Sequence, residues 1–257
     1  MFKNKVVFIT GSAKGMGLKM AEDFATQGAS VIISDLNAAD IESAQNSLTA
    51  KGLKVEGVVC DVTKEEQVQS TINNIEIKYG RLNVLINNAG LQYVSPIEEF
   101  PVEKFELLLK VMVVGPFIAT KHALPIMKRQ NSGRIINMAS VNGLIGFAGK
   151  SAYNSAKHGI IGLTKVAALE VAAYNITVNA ICPGYVDTSL VRNQLSEIAA
   201  MRHITEQEAL DVILRLVPQK RLLDPEEISN YAMFLATEMA KGITGQAVVI
   251  DAGYTAQ

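Results

Sequence analysis

Three side chains in the second half of the sequence have the chemistry needed to exchange a proton with an alcohol oxygen. Tyr153 and Lys157 are four residues apart in a segment of helical periodicity, so they share one helix face. A phenol has a pKa of about 10 in water, and a neighbouring ammonium group lowers it. Ser140 follows the fifth predicted strand, where its hydroxyl can hydrogen-bond a substrate oxygen as charge develops there. The three residues predict acid–base catalysis on an alcohol or carbonyl group, with Tyr153 exchanging the proton.

A glycine-rich turn near the start of the chain is suited to a dinucleotide. The sequence TGSAKGMG joins the first predicted strand to the first predicted helix. Glycines let the backbone approach a pyrophosphate, and the following helix presents unpaired N–H groups to it. An ordinary tight turn can have the same spacing, so the motif alone is weak. The predicted cofactor contacts in this turn are Gly11, Ser12, Lys14, Gly15, Met16 and Gly17.

Further polar residues follow the neighbouring predicted strands. Asp35 ends the second strand, 18 residues after Gly17, where a carboxylate can bind ribose hydroxyls and repel a 2′-phosphate. This favours NAD over NADP, although Lys14 could meet a phosphate and Asp35 could be a simple helix N-cap. The predicted contacts after the third and fourth strands are Asp61, Val62, Asn88, Ala89 and Gly90. Four successive strand ends with suitable chemistry indicate a cofactor site much more strongly than any single motif.

The segments that must position these residues alternate between strand and helix. The predicted strands are Val6–Thr10, Ser30–Ser34, Val55–Cys60, Val84–Ile86, Arg134–Met138, Thr177–Ile181 and Ala247–Ile250. The predicted helices are Met16–Gln27, Ile41–Lys51, Glu65–Tyr79, Val102–Lys128, Ala152–Ala173 and Glu226–Glu238. Strands apolar on both faces, separated by helices, predict an α/β fold: a single-domain, Rossmann-type, doubly wound parallel sheet with helices on both faces over residues 1–257. Residues 183–224, with helical pieces at Leu190–Met201 and Glu206–Leu216, predict a substrate loop or lid, the alternative being surface decoration.

The composition excludes several classes of partner. Lys and Arg total 24 against 25 Asp and Glu, which gives no electrostatic reason to expect nucleic acid or an anionic membrane. Cys60 and Cys182 lie in apolar segments without metal-ligand spacing, so we expect no metal site, no disulfide and a reducing cytoplasmic location. No stretch approaches the ~18 apolar residues of a membrane span.

The motifs together resemble one enzyme family. TGSAKGMG, NNAG, Ser140, YNSAK and the Pro183-Gly184 turn occur in the order and spacing of the short-chain dehydrogenase/reductase family, over essentially the whole chain. The resemblance implies that Ser140, Tyr153 and Lys157 are catalytic. It also implies cofactor contacts from Tyr153, Lys157, Pro183, Gly184, Val186 and Thr188. It implies a homotetramer built partly on the helix Ala152–Ala173, which carries apolar residues on more than one face.

One position departs from the family pattern. Residues 111–115 read VMVVG, where the family commonly has an asparagine in place of Met112. The resemblance implies that this asparagine helps to hold a water molecule behind the lysine. A methionine cannot make that bond usefully, so we expect another group or a helix carbonyl to hold the water.

The resemblance narrows toward D-3-hydroxybutyrate dehydrogenases in the stretches LQYVSPIE, AGKSAY, LVRNQ and GYTAQ. It implies that Gln92, Lys150 and Gln194 bind a substrate carboxylate, with Ser140, Tyr153 and Asn142 (histidine in that subgroup) as further contacts. A cation and amide donors suit a short anionic hydroxy acid. Taken singly, Lys150 could equally be a solvated surface lysine, and the glutamines could merely stabilise loops.

The sequence therefore predicts NAD-dependent interconversion of (R)-3-hydroxybutyrate and acetoacetate. Two alternatives stay open. One is a related enzyme that oxidises another hydroxy acid, a sugar or a polyol. The other is an NAD-binding regulator that has lost its chemistry, which only Met112 motivates.

Overall fold

The computed structural model describes residues 1–256, apart from the side chains of residues 190, 194, 197, 198, 200, 201 and 202. Within it, seven strands form one parallel sheet in the order β3-β2-β1-β4-β5-β6-β7. The strands are β1 (Val6–Thr10), β2 (Ser30–Asp35), β3 (Val55–Val59), β4 (Val84–Asn87), β5 (Gly133–Met138), β6 (Ile176–Pro183) and β7 (Ala247–Ile250). The four central strands β1, β4, β5 and β6 are buried along their whole length. This confirms the predicted doubly wound fold.

Helices cover both faces of the sheet. They are α1 (Gly15–Thr26), α2 (Ala38–Ala50), α3 (Glu65–Tyr79), α4 (Val102–Leu109), α5 (Gly115–Gln130), α6 (Ser151–Val171), α7 (Ser189–Arg202), α8 (Glu206–Arg215) and α9 (Pro225–Leu235). Alternate residues of β1 enter opposite cores, as the two-residue period of a strand requires. Ile9 joins the core of α1, α2 and α9, whereas Phe8 joins the core of α3, α5 and α6.

The helical region Val102–Gln130 differs from the sequence prediction. It is continuous, but α4 passes into α5 through a π-helical turn, Lys110–Val114. Its mean hydropathy of 1.5 over 18 residues is high enough for a membrane span, so the expectation that no stretch approaches one was wrong. Half of that window is buried inside the protein, which is typical of a core helix, and one such helix is weak evidence for a membrane span.

The chain order of the strands creates a crevice. Because β1 lies between β2 and β4, the connections after β1 and β4 leave in opposite directions, and ligands of such sheets bind at this switch point. Residues 183–224 form an excursion beyond the carboxyl end of β6. It contains α7 and α8 and returns beside its own start through a bridge between Val186 and Leu223.

Candidate active site

The glycine-rich turn after β1 is locked against the end of β4. Gly11 has φ +59°, and a Cβ atom there would lie 2.5 Å from the Cα of Ala89. A Cβ atom on Gly17 would lie 2.6 Å from Nδ2 of Asn88. That amide donates to the carbonyl oxygens of Thr10 (3.0 Å) and Gly11 (2.7 Å). Asn88 thus holds the turn in place, and the two glycines allow this close packing against the residues that follow β4.

The first turn of α1 faces the same crevice. The N-cap residue Lys14, just before the helix, has an extended backbone. In the described part of the chain, no side chain caps the helix. The unpaired N–H groups and the helix dipole make this end a suitable anion site. The ammonium group of Lys14 itself pairs with Asp40 at 2.8 Å. The carboxylate of Asp35, at the end of β2, accepts from the backbone N–H groups of Ala13 (3.3 Å) and Leu36 (2.8 Å).

Ser12 is a correction to the predicted cofactor contacts. Its side chain is fully buried beneath the turn, and its hydroxyl donates to the carbonyl of Ile9 at 2.7 Å. The same oxygen accepts from the N–H of Ser34, and the N–H of Ser12 donates to the carbonyl of Ser34. Ser12 therefore ties β1 to β2 instead of facing the crevice.

The crevice, which we call the outer cleft, has a volume of about 420 Å³, within the usual range for cofactor sites. The predicted residues that line it are Gly11, Lys14, Gly15, Met16, Gly17, Asp35, Asp61, Val62, Asn88, Ala89, Gly90, Tyr153, Lys157 and Thr188. Leu36, Cys60, Leu91, Val111, Met138, Ala139, Ser189 and Asn193 also line it and were not predicted. Leu36, Cys60, Met138 and Ala139 lie at or just after a predicted strand end, which is the signal that could have found them. The glycine cradle, the uncapped helix and Asp35 together fit a dinucleotide.

The lysine that the sequence predicts to be catalytic is placed by the strand beneath it. Lys157, on α6, is only 5% exposed, and its Nζ donates to the carbonyl oxygen of Met138 at 2.6 Å. The same atom lies 5.4 Å from the centre of the Tyr153 ring. Burial lowers the pKa of Lys157 to about 8. Tyr153 and Lys157 both line the outer cleft, as their four-residue spacing on α6 leads one to expect.

Tyr153 and Ser140 form a hydrogen-bonded pair. Burial raises the pKa of the Tyr153 phenol above its ordinary value, and the hydrogen bond with the Ser140 hydroxyl opposes that rise. The sequence predicted a lowered pKa for Tyr153. This prediction is wrong for the protein without a bound cofactor, in which the pKa is raised. Ser140 is oriented by the short 3₁₀ helix Val141–Gly143, since its Oγ accepts from the N–H of Asn142 at 3.1 Å.

A smaller space, which we call the inner cavity, adjoins the outer cleft and has a volume of about 70 Å³. The predicted substrate contacts in its wall are Gln92, Ser140, Asn142, Lys150 and Tyr153. Pro183, Gly184 and Val186, predicted as cofactor contacts, line this cavity and not the outer cleft, whereas Thr188 lines both. Met16, Ala139, Val141, Tyr185 and Val191 complete the wall. The side chain of Gln194 lies outside the described residues.

Among the lining residues of the inner cavity that the structure describes, Lys150 is the one cation. It is 4% exposed, with Nζ 4.5 Å from the ring centre of Phe147 and 5.9 Å from that of Tyr153. Burial lowers the pKa of Lys150 to about 8. The alternative interpretation of Lys150 as a solvated surface residue is wrong.

Comparison with known proteins agrees with this geometry. A family model described as enoyl-(acyl carrier protein) reductase, adh_short_C2, matches residues 11–255. The chain belongs to the short-chain dehydrogenase/reductase family. It is 60% identical to a Bacillus subtilis protein named uncharacterized oxidoreductase YxjF, covering 99% of this chain and 100% of the relative. It is 38% identical to the D-beta-hydroxybutyrate dehydrogenase of Cupriavidus necator (100% of both chains) and 40% identical to that of Rhizobium meliloti (98% and 99%).

Solved structures of this oxidoreductase family superimpose on the whole chain. An actinorhodin polyketide ketoreductase with NADPH matches with a TM-score of 0.95 and 29% identity over 99% of each chain. An NAD⁺-bound xylitol dehydrogenase matches with a TM-score of 0.91 and 33% identity, covering 97% of this chain and 98% of that one. The family thus includes structures bound to either nicotinamide cofactor.

Met112, the position at which this short-chain dehydrogenase departs from its family's pattern, is an apolar packing residue. It lies in the π-helical turn and is buried with Leu108, Ala152 and Ala156 beside α6. Its sulfur faces Gly90, where a Cβ atom would lie 3.5 Å away. The group that replaces the relay asparagine stays a prediction.

Proposed function

We propose that this short-chain dehydrogenase interconverts (R)-3-hydroxybutyrate and acetoacetate with NAD as its cofactor. The observation that carries the proposal is the buried Lys150 beside Tyr153 and Ser140. An ammonium group inside so small a cavity suits a short substrate with a carboxylate, because charge-assisted hydrogen bonds are strong and directional. Gln92 and Asn142 add amide groups to the same wall. The two D-beta-hydroxybutyrate dehydrogenase relatives support the same substrate class.

The chain's own residues account for the proton movements of this reaction. NAD⁺, when bound in the outer cleft, supplies the acceptor for the hydride that leaves the hydroxyl-bearing carbon. The Tyr153 phenolate takes the hydroxyl proton of the substrate, so the C–O bond becomes a carbonyl. The Ser140 hydroxyl donates to the same substrate oxygen and stabilises the charge that develops there. The Lys157 ammonium, held by the carbonyl of Met138, favours the phenolate form of Tyr153 through its charge.

The preference for NAD over NADP rests on the charges around the adenosine end of the outer cleft. Asp35 ends β2 within the cleft, and Asp40 neutralises Lys14, the cation of the glycine-rich turn. A 2′-phosphate would meet a carboxylate there and would have to compete with Asp40 for the lysine.

A substrate panel tests the proposal. NADH and NADPH formation is followed by absorbance with (R)- and (S)-3-hydroxybutyrate, sugars and polyols as substrates. We expect turnover with NAD and the R enantiomer. Turnover with a neutral sugar or polyol instead would favour the first alternative function. Binding of NAD without turnover of any alcohol would favour the regulator.

Lys150→Met tests the carboxylate contact directly. Loss of one partner of a buried charge pair typically weakens binding by 2 kcal/mol or more, which is roughly 30-fold. We expect the KM for 3-hydroxybutyrate to rise by at least that factor and the KM for NAD to stay unchanged. Lys51→Met, which removes an exposed ion pair with Glu22, is the matched control and should leave both constants unchanged. An unchanged KM for the hydroxy acid in Lys150→Met would refute the contact.

The assembly and location are part of the same proposal. Phe117 on α5 and Val166 and Leu169 on α6 are exposed apolar side chains. This surface supports a homotetramer built partly on α6. Cys60 and Cys182 are both buried as free thiols, which is compatible with a reducing cytoplasm.

A further inference from the structure

The wall of the inner cavity is backed by the C-terminal end of the chain. Tyr185, which directly follows the Pro183-Gly184 turn, lines the cavity together with Ser140 and Tyr153. The Tyr185 ring contacts the ring of Tyr254, which does not line the cavity; the ring centres are 5.8 Å apart, with an interplanar angle of 57°. This separation is within the range of favourable aromatic contacts. The position of Tyr185 therefore depends on the turn that carries Tyr254.

One buried carboxylate, that of Asp251, stabilises the turn of residues 251–255, which carries Tyr254. Asp251 is 8% exposed, and its Oδ1 accepts from the N–H of Gly253 at 2.9 Å. Its Oδ2 accepts from both the N–H (2.7 Å) and the hydroxyl (2.6 Å) of Thr255. Between these contacts, Ala252 and Gly253 have φ values of +54° and +89°. A left-handed alanine is unfavourable by about 1 kcal/mol or more, so the turn needs the carboxylate to hold this shape.

The backbone of Asp251 also fixes the turn against the cavity. A Cβ atom on Gly184 would lie 2.9 Å from the Cα of Asp251, so the two segments are in direct contact. The N–H of Gly184 donates to the carbonyl of Ile250 at 2.9 Å. The excursion of residues 183–224 also contacts this turn, because the N–H of Gln219 donates to the carbonyl of Ala252 at 3.3 Å.

We propose that Asp251 is a positioning residue of the substrate site, which holds Tyr254 against Tyr185 and so sets the shape of the inner cavity. This inference rests on the proposed function, since it takes the cavity beside Tyr153 as the substrate site. Asp251 does not line the cavity itself and acts through the two tyrosines.

Asp251→Asn and Tyr254→Ala test the catalytic consequence. A substrate wall that is no longer held should raise the KM for the hydroxy acid about tenfold, with kcat lowered less and the KM for NAD changed by less than about twofold. Asp23→Asn is the matched control, because Asp23 also has a bonded carboxylate (to Lys19, 2.7 Å) but lies in α1 away from the inner cavity. A merely structural role would lower the active fraction, so kcat would fall while both KM values stayed constant. That result, in either variant, would overturn the proposal.

A second measurement does not depend on turnover. The chain contains no tryptophan, so Tyr185→Trp introduces a single tryptophan in the cavity wall, whose fluorescence can be excited selectively over that of the tyrosines. Adding Asp251→Asn should shift its emission to longer wavelength and increase its quenching by acrylamide, because Tyr254 would no longer cover it. Unchanged emission and quenching would overturn the proposal even if the enzyme oxidises 3-hydroxybutyrate. A shifted emission in a protein that fails to oxidise 3-hydroxybutyrate would instead support the role of Asp251 and reject the proposed substrate.

Discussion

At the scale of single residues, Tyr153 is the proton acceptor of the proposed reaction. Burial raises the pKa of its phenol, so the site must favour the phenolate through Ser140 and the charges near it. Tyr153→Phe keeps the ring and removes the group that exchanges the proton. We expect turnover to fall by roughly 10²- to 10⁴-fold, the usual contribution of a general acid–base residue. NADH absorbance measures the rate, and calorimetric titration with NAD should show an affinity that falls far less than turnover, because the ring and the other lining residues of the outer cleft are kept.

The outcome that would contradict this role is a Tyr153→Phe variant with near-normal turnover. Such a result would remove the basis of the substrate proposal as well. A loss of NAD affinity in parallel with turnover would indicate a damaged fold instead of a missing proton acceptor.

Lys150 makes a prediction about pH. Because burial lowers its pKa to about 8, its ammonium form is present below pH 8 and is lost as the pH rises through that value. Affinity for a carboxylate should therefore be constant below pH 7.5 and weaken above pH 8, by up to tenfold per pH unit for one proton. The inhibition constant of acetate, a carboxylate without an oxidisable hydroxyl, measures this between pH 6.5 and 9.5. In Lys150→Met the profile should be much shallower but not flat, since Lys157, which also has a pKa of about 8, still titrates near the site. Equal profiles in the variant and the unmodified protein would rule out the contact.

The sequence predicted the types of the site residues better than the directions of their side chains. Tyr153 and Lys157 were predictable because four residues of helix return to the same face. Ser12 stands within an equally good motif, yet its hydroxyl turns inward to Ser34 because β2 pairs with β1 in register at that point. The spacing of residues in a motif cannot predict this contact between two strands, because it depends on how the strands pair. The burial of Lys150 depends in the same way on Phe147 and other residues of a loop with no regular period.

At the scale of elements, the glycine-rich turn is held by close contact with β4. Gly17→Ala would place a methyl group 2.6 Å from Nδ2 of Asn88 and from the carbonyl oxygen of Gly11, so the turn must shift. We expect the free energy of unfolding to fall by about 1–3 kcal/mol, as for other overpacked sites. The KM for NAD should rise as well, because the pyrophosphate cradle moves with the turn. Thermal unfolding and steady-state kinetics measure the two effects.

Gly242→Ala is the control for this substitution. Gly242 lies in a turn before β7, its φ is not in the left-handed range, and a Cβ atom there meets nothing within 4 Å. It should leave stability and the KM for NAD nearly unchanged. Equal behaviour of Gly17→Ala and Gly242→Ala would show that the close approach to Asn88 is unimportant.

The order of the elements followed from the sequence, but their irregularities did not. The bounds of β1, β7 and α3 are as predicted, because each segment has a clean period and clear flanking residues. The segment Val102–Lys128 was predicted as one helix, but the observed helical region contains a π-helical turn at Lys110–Val114. Apolar periodicity is similar on both sides of such a turn, so the pattern cannot locate it. The π-helical turn packs against α6, a tertiary contact that sequence periodicity does not report.

At the scale of the whole molecule, one apolar surface lacks a partner within the described chain. Phe117 on α5 and Val166 and Leu169 on α6 are 51%, 55% and 82% exposed. A groove of about 480 Å³ runs between the two helices, with the charged residues Lys121, Lys128 and Glu170 in its wall. Clustered apolar side chains with charged neighbours are typical of a subunit interface, and a two-fold contact places the same surface on both sides.

Leu169→Glu tests this interface. Placing a charge on each copy of the same apolar surface should separate the subunits, because each carboxylate would have to be buried next to the other. Light scattering during size exclusion should show an assembly of several chains for the unmodified protein and a smaller species for the variant. Ile77→Glu is the matched control, since Ile77 is 83% exposed on α3 outside this surface and its substitution should leave the assembly intact. An unmodified protein that is monomeric at micromolar concentration would show instead that this apolar face serves some purpose other than self-association.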